Sequence, residues 1–191
     1  MNNVDNVIVG KPKSDGAIWM APAGTTLPTD AISALPEAFK CLGYVSEDGV
    51  TNTNTPESED IKAWGGDTVA SPITGKPDKF SFTLIESLNV DALKLVYGAD
   101  NVTGTLETGI SIKSNSKDYE NVVIVIERSI HGSFGRIVVP KAKVTEIGDI
   151  TYVDNAPVGY PVTITGFPDS NGDTHHDYIA PITASILPIG G

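Results

Sequence analysis

Apolar and polar positions alternate in short runs along this chain, and only one stretch changes to a helical period. Phe80, Phe82 and Leu84 are interleaved with Ser81, Thr83 and Ile85, the period-two pattern of a half-buried strand. Val162 and Ile164 alternate with Thr163 and Thr165 in the same way. Val122–Ile126 is apolar without interruption, which fits a strand covered on both faces. The second half reads as strand after strand, at about 105–113, 120–130, 134–140, 142–150 and 157–167. The first half predicts strands at Ala17–Ala21 and Lys40–Ser46, then a long loop or extended hairpin over 47–60. A strand resumes at Ile61–Ser71, with Gly65-Gly66 marking a bulge or bend.

The helical exception runs from Asn89 to Tyr97. Asn89 suits the N-cap, Asp91 complements the dipole in the first turn, and Gly98 is placed to end the helix. Leu88, Ala92, Leu95 and Val96 form one apolar stripe for packing on a sheet. Residues 1–16 read as a polar arm with an apolar patch at Val7, Ile8 and Val9, and 178–191 as a second arm carrying Tyr178, Ile179 and Ile182. Between them, 17–177 is expected to be a single β domain.

Composition sharpens the fold class. Val, Ile and Thr number 18, 19 and 18 against 9 Leu, a bias toward side chains that lose rotamers in helices and fit a pleated surface. A mainly helical protein is excluded. The 19 glycines and 13 prolines supply the turns that many short strands need. The single cysteine, Cys41, excludes an internal disulfide framework and is expected to be a small buried hydrophobe. The longest apolar runs are too short to cross a bilayer. The first residues lack the pattern of a secretion signal, so the chain is expected to be made in the cytoplasm.

The net charge of −11 is unevenly spread. Residues 41–61 hold Glu47, Asp48, Glu57, Glu59 and Asp60 without a lysine or arginine, and 144–191 hold six more acidic residues, again without a cation. Tight binding to nucleic acid needs clustered cations, and this chain shows the reverse. Acidic loops also serve simply to keep a glycine-rich β protein soluble.

Catalytic constellations do not emerge. His131-Gly132-Ser133-Phe134-Gly135 lacks the spacing of a nucleophile elbow and reads as a hairpin turn. His175 and His176, beside Asp169, Asp173 and Asp177, invite a metal reading, but neighbouring residues of an extended chain point to opposite faces. Asp169–Asp173 resembles the start of a calcium loop without its late bidentate glutamate, so a solvated turn is expected. No catalytic residue, metal site or cofactor is assigned.

Several stretches, taken in order, resemble the major tail tube proteins of long-tailed bacteriophages. They are Cys41-Leu42-Gly43-Tyr44-Val45-Ser46-Glu47-Asp48-Gly49-Val50, Ile61-Lys62-Ala63-Trp64-Gly65-Gly66-Asp67, Phe80–Glu86 followed by Asn89–Leu93, and Tyr160–Thr165 before Pro168-Asp169. The likeness covers about residues 15–175. It implies a tail-tube-type β-sandwich or barrel with one short flanking α-helix and extended terminal arms. It also implies a structural virion protein whose six-membered rings stack into the tail tube, the conduit for the ejected genome. Partners would be further copies of the chain, the tape measure protein and tail-end proteins, with double-stranded DNA passing without tight binding and no membrane involved. The family has no active site to carry over.

On that footing Glu47, Asp48, Glu57, Glu59 and Asp60 are expected to form a loop that meets the next ring, and part of the acidic set to line the lumen. Trp64, at the base of that loop, is read first as a core anchor and second as an interface anchor. Val7, Ile8, Val9, Tyr178, Ile179 and Ile182 are expected to order on neighbouring subunits. Alternatives are a capsid decoration or head–tail connector protein and a surface- or carbohydrate-binding β-sandwich module, with an enzyme last.

Overall fold

Strands dominate because β-branched residues fill the alternating positions, and the computed structural model describes residues 10–13, 16–130 and 132–181. In chain order these strands are β1 (Lys11–Pro12), β2 (Ile18–Pro22), β3 (Lys40–Cys41), β4 (Val45–Thr53), β5 (Glu57–Ser58), β6 (Ile61–Lys62), β7 (Thr68–Ala70), β8 (Ile73–Gly75) and β9 (Asp78–Leu84). Helix α1 (Val90–Tyr97) follows, then β10 (Val102–Thr105), β11 (Gly109–Ile112), β12 (Val122–Ile130), β13 (Ser133–Ile147), β14 (Tyr160–Gly166) and β15 (His176–Pro181).

Nine strands make one antiparallel sheet in the order β3-β2-β12-β13-β14-β9-β4, with β1 beside β12 and β15 beside β13. The sheet folds over on itself into a sandwich. One cleft is lined by Val45 and Val50 of β4, Phe80 of β9, and Ile126 and Ile137 of β12 and β13, strands that are far apart in the ladder. The fold hinges on β13, which is 15 residues long. Its first half pairs with β15 from Ser133 to Val138, and its second with β14 from Ala142 onward. Pro140 and Lys141 fall between the two partners, where the register against β12 shifts. Proline cannot donate to a ladder, so it belongs where pairing changes hands.

Alternation places the core. Phe80, Phe82 and Leu84 of β9, Val162 and Ile164 of β14, and Ile124 and Ile126 of β12 meet Ala92, Leu93, Leu95 and Val96 of α1 in one cluster. On the far face of β12, Val123 and Val125 join Ala21, Phe39 and Val138 in a second. The uninterrupted apolar run of β12 is thus covered on both sides. Helix α1 begins and ends where its caps predict. Asn89 Oδ1 accepts from the Asp91 and Ala92 amides at 3.0 and 3.2 Å, and Gly98, at φ +92°, sends its N–H back to the Lys94 carbonyl at 2.9 Å. Leu88 is not part of the buried stripe. It precedes the cap and is exposed, and Leu93 takes its place.

Two charges are buried in the wall between the clusters. The Arg136 Nη2 donates to Glu127 Oε1 at 2.5 Å, and its guanidinium also donates to the carbonyls of Asp30 and Ser33 at 2.8 Å. The same arginine therefore satisfies Glu127 and pins the 23–39 crossover to the sheet. Lys13 reaches Glu127 from the other side at 3.4 Å.

Several expectations change. The strands expected at 134–140 and 142–150 are one bent strand, because the Pro140 corner redirects β13 without ending it. The acidic stretch is no single loop, since β4 runs through Thr53 on the strength of its pairing with β9. The strand expected at Ile61–Ser71 is split between the two arms of a hairpin, with the bend at Gly65-Gly66 as its turn. Tyr178 and Ile179, read as arm, lie in β15 and pair with Arg136 and Gly135 of this chain. Val7, Ile8, Val9 and Ile182 lie outside the described residues. Cys41 is half-buried, with Sγ accepting from the Gly43 amide at 3.4 Å.

Candidate functional site

The feature that the body does not account for is a long β-hairpin between β4 and β9. Its inner rungs pair β5 with β8 (Glu57↔Gly75 and Ser58↔Ile73), and its outer rungs pair β6 with β7 (Ile61↔Ala70 and Lys62↔Thr68). The tip closes through Ala63 N–H to Asp67 O at 2.8 Å and Gly66 N–H to Ala63 O at 3.0 Å. Asp60 Oδ1 accepts from Ser71 Oγ at 2.8 Å across the two arms. Ten extended residues reach roughly 30 Å, and every residue from 55 to 74 is exposed. Trp64 at the tip is 106% exposed, and Ile61, Val69 and Ile73 along the arms are between 52% and 67% exposed. Apolar side chains grouped on a projecting element mark a contact surface.

A second surface is its chemical opposite. The outer face of β4, β9, β14 and β13 carries short hydroxyls, among them Thr51, Ser81, Thr83, Thr145, Thr163 and Thr165. Ser81 and Thr163 bond to each other at 2.9 Å, as do Thr145 and Thr165. A shallow groove there is edged by Asp48 and Glu146. The inward face of these strands is core, and the 23–39 segment covers the other end of the sheet.

One protein family, described as "Phage tail tube protein", has a sequence model that matches residues 1–185. The chain belongs to the phage tail tube protein family. No curated protein matches it closely enough to count as a relative. A tail tube protein is a structural component of the phage tail, and the mainly β sandwich with one helix agrees with the expected fold. No helix among the described residues is long and apolar enough to cross a membrane.

Within this tail tube protein the acidic residues expected to act together divide between two places. Glu57 lies on β5, and Glu59 and Asp60 join β5 to β6, so these three share the hairpin. Glu47 and Asp48 sit in the bulge of β4, where the register against β9 slips between Val45 and Val50. Trp64 is not a core anchor. The Gly65-Gly66 turn carries it to the outermost point of the hairpin, where none of the described residues covers it. Tyr178 packs on the second cluster and Ile179 points outward.

The histidine pair behaves as an extended backbone dictates. His175 Nδ1 turns inward to Asp78 Oδ2 at 2.5 Å, and His176 Nε2 faces Asp169 Oδ2 at 3.5 Å. Asp169, Asp173 and His176 bring one potential ligand atom each within 4.8 Å of one another. Asp169 is nonetheless occupied in building its own turn, accepting from the amides of Asn171 and Asp173 at 2.7 and 3.0 Å. Those two backbone bonds hold its carboxyl below the ordinary value. The cleft bounded by β1, β4 and β12, about 690 Å3, has an apolar floor and a charged rim. Its Arg128 is engaged by Asp177 at 2.6 Å and its Lys13 by Glu127.

Asp78, Glu127 and Arg136 are the buried charged residues among the described residues, and none of them is a candidate on sequence alone. Glu127 carries a local signal, an acid directly after the apolar run Val122–Ile126, whereas Asp78 beside Lys79 reads as a solvated charge.

Proposed function

We propose that this chain is the repeating subunit of a hollow tail tube, six copies to a ring with rings stacked, through which the genome passes at ejection. The observation that carries the reading is the hairpin of residues 57–75, an element whose apolar residues are left uncovered by the described residues of their own chain. Burial against a second copy removes those side chains from water, at about 25 cal/mol per Å2 of apolar surface. Trp64 has the size and the central position of an interface hot spot. Glu57, Glu59 and Asp60 flank that contact and select a complementary surface on the next ring. Residues 1–9 and 182–191, with the outward-facing Ile179, contribute further contacts between subunits.

The hydroxyl face of β4, β9, β14 and β13 suits the channel wall. Short branched hydroxyls that bond one another present a smooth, hydrated surface, and Asp48 and Glu146 at its edge repel phosphate over about one Debye length, ~8 Å at physiological salt. DNA then passes without tight binding. The tape measure protein fits as the other occupant of the lumen, and tail-end proteins as the caps of the tube. This role is structural, with no catalytic step, and places the chain in the virion tail after assembly in the host cytoplasm.

The test is assembly itself. Purified chain is followed by negative-stain electron microscopy and by mass in solution across a concentration series, beside the variants I61S/W64A and E57A/E59A/D60A. Stacked open rings for the parent and folded, unassembled chain for I61S/W64A are expected, with the triple-alanine variant shifted to higher assembly concentrations. Unchanged tubes from I61S/W64A would remove the hairpin from the stacking contact. A parent that stays monomeric at every concentration, even with tail-end proteins as initiator, would overturn the tube reading.

A further inference from the structure

The root of the hairpin is a gap in the sheet. The β4–β9 ladder ends at Thr53↔Lys79, and the hairpin's own ladder begins at Glu57↔Gly75. Residues 54–56 and 76–78 lie between the two ladders, and two of them, Pro56 and Pro77, have no N–H to offer. Backbone pairing therefore cannot fix the direction in which the hairpin leaves the body.

Asp78 stands at the body edge of that gap, on the first residue after the chain returns, and is fully buried. Its Oδ1 accepts from Asn52 Nδ2 at 2.8 Å, and the same amide donates to the Lys79 carbonyl at 3.1 Å. Asn52 belongs to the outgoing strand, so this side chain straps the two roots together. Oδ2 accepts from Thr174 Oγ1 at 2.7 Å and contacts His175 Nδ1 at 2.5 Å. Both residues lie in the turn between β14 and β15, almost a hundred positions away in sequence. The His175 ring packs edge-on against Phe80, centroids 5.5 Å apart. Gly166, paired with Asp78 in the sheet, lets the turn come close, since a Cβ there would stand 3.0 Å from the Thr174 carbonyl oxygen.

We propose that Asp78 is a positioning residue for assembly, coupling the hairpin root to the β14–β15 turn so that the hairpin projects in one direction. An apolar residue at this place would be cheaper to bury, because a carboxylate taken from water must recover its hydration from exact donors. What the carboxylate adds is direction, since its donors come from two separate segments and meet at fixed angles. The coupling rests on the stacking reading, because a hairpin that must enter a second copy loses affinity when it samples many directions.

The experiment reads the direction itself. Spin labels are placed at Asp67→Cys on the hairpin tip and Lys117→Cys on the body, in a Cys41→Ser background, and their distance distribution is measured in the full chain at concentrations below assembly. Thr174→Val with His175→Leu removes the turn-side donors without touching the hairpin. The distribution is expected to broaden at least twofold, and the concentration needed for tube formation to rise at least tenfold, while thermal unfolding stays cooperative. Thr174→Ser with His175→Gln keeps both donors and is expected to restore the narrow distribution. Asn52→Ala should broaden it as well, which keeps the test open if the double variant fails to fold. An unchanged distribution in both Thr174→Val/His175→Leu and Asn52→Ala would overturn the coupling. Broadening with normal assembly would leave Asp78 as a positioning residue and instead remove the hairpin from stacking, the outcome that I61S/W64A checks on its own.

Discussion

The sheet body and the projecting hairpin are built from the same kind of residue and end in opposite environments. In β9, Phe80, Phe82 and Leu84 alternate with hydroxyls and vanish into the core. In the hairpin, Ile61, Val69 and Ile73 occupy the same sort of positions and stay exposed beside Trp64. Hydrophobicity and strand pairing are alike in the two. What differs is whether this chain supplies a second layer. The body has α1 and a folded-over sheet to pack against, whereas a two-stranded ribbon has no inside and is marginal on its own. No described residue layers onto this ribbon, and the proposed function assigns that layer to another copy of the chain.

The largest expected effect breaks the comparison at its strong end. Phe80→Ala opens a cavity beneath β9 and should destabilise the chain by about 3–5 kcal/mol, measured by denaturant unfolding. Trp64→Ala, which deletes a larger side chain, should leave monomer stability within about 0.5 kcal/mol, as for surface positions generally. A large loss from Trp64→Ala would mean that the hairpin folds back on its own body.

Arg136→Met is next in size. It leaves Glu127 buried without its main partner, and breaking a buried pair from one side typically costs about 3–5 kcal/mol. Glu127 keeps Lys13 at 3.4 Å, which should hold the loss to the lower part of that range. Arg136→Met with Glu127→Leu removes both charges and should recover most of the stability. The hairpin contains no buried ion pair among the described residues, so charge removal there, as in E57A/E59A/D60A, should act on assembly and not on unfolding. This sharpens the contrast between charges that hold a fold and charges that steer a contact.

Much of this was legible in the sequence, and the limits have physical causes. The alternation in β9 and β14, the doubly covered run in β12 and the capped helix were readable because each depends on residues close together in the chain. Trp64 reads first as a core residue because a large aromatic is usually covered, and local pattern cannot say by which molecule. Residues 178–181, the larger part of β15, read as arm because their partner, the first half of β13, lies some 40 positions away, and edge strands carry weak alternation. Asp78 escaped notice for the same reason. Its donors, Asn52, Thr174 and His175, come from distant segments, and a carboxylate beside Lys79 reads locally as a solvated charge.

Acid should act on the body through carboxyls that folding makes more acidic, Asp78 and Asp30 among them. Burial works against the charge of Asp78, but hydrogen bonds from His175, Asn52 and Thr174 outweigh it and hold its pKa below the ordinary 3.8. Asp30 is lowered to about 2, chiefly by the Ser33 hydroxyl and then by the Ser33 and Ile32 amides. Both groups bind protons more weakly folded than unfolded. Their contribution is complete above the unfolded value and is lost as pH falls through the folded ones. Melting temperature should therefore drop between pH 4 and pH 2, and less steeply in Asp78→Asn and Asp30→Asn. An identical acid slope in both variants would show that other carboxyls dominate.

The smallest effect concerns the helix that gives the body its second layer. Asn89 caps α1 through Oδ1, while its Nδ2 donates to the Cys41 carbonyl at 3.2 Å and reaches Glu86 Oε2 at 3.4 Å. Asn89→Ala should cost about 1 kcal/mol, the usual loss of an N-cap, read as a lower denaturant midpoint with an unchanged slope. Asn89→Asp retains the acceptor for the helix amides but loses the donor to Cys41 and sets a second carboxylate beside Glu86. Asn89→Ser retains the cap without that repulsion. If capping is the whole role, serine and aspartate should both recover the parent midpoint. If the tie to β3 matters, aspartate should fall near alanine and serine between them. Each variant should fold at neutral pH with the hairpin untouched, so tube formation should follow parent concentrations throughout. The separation between a layer held inside the chain and one proposed to come from a second copy then extends down to a single hydrogen bond.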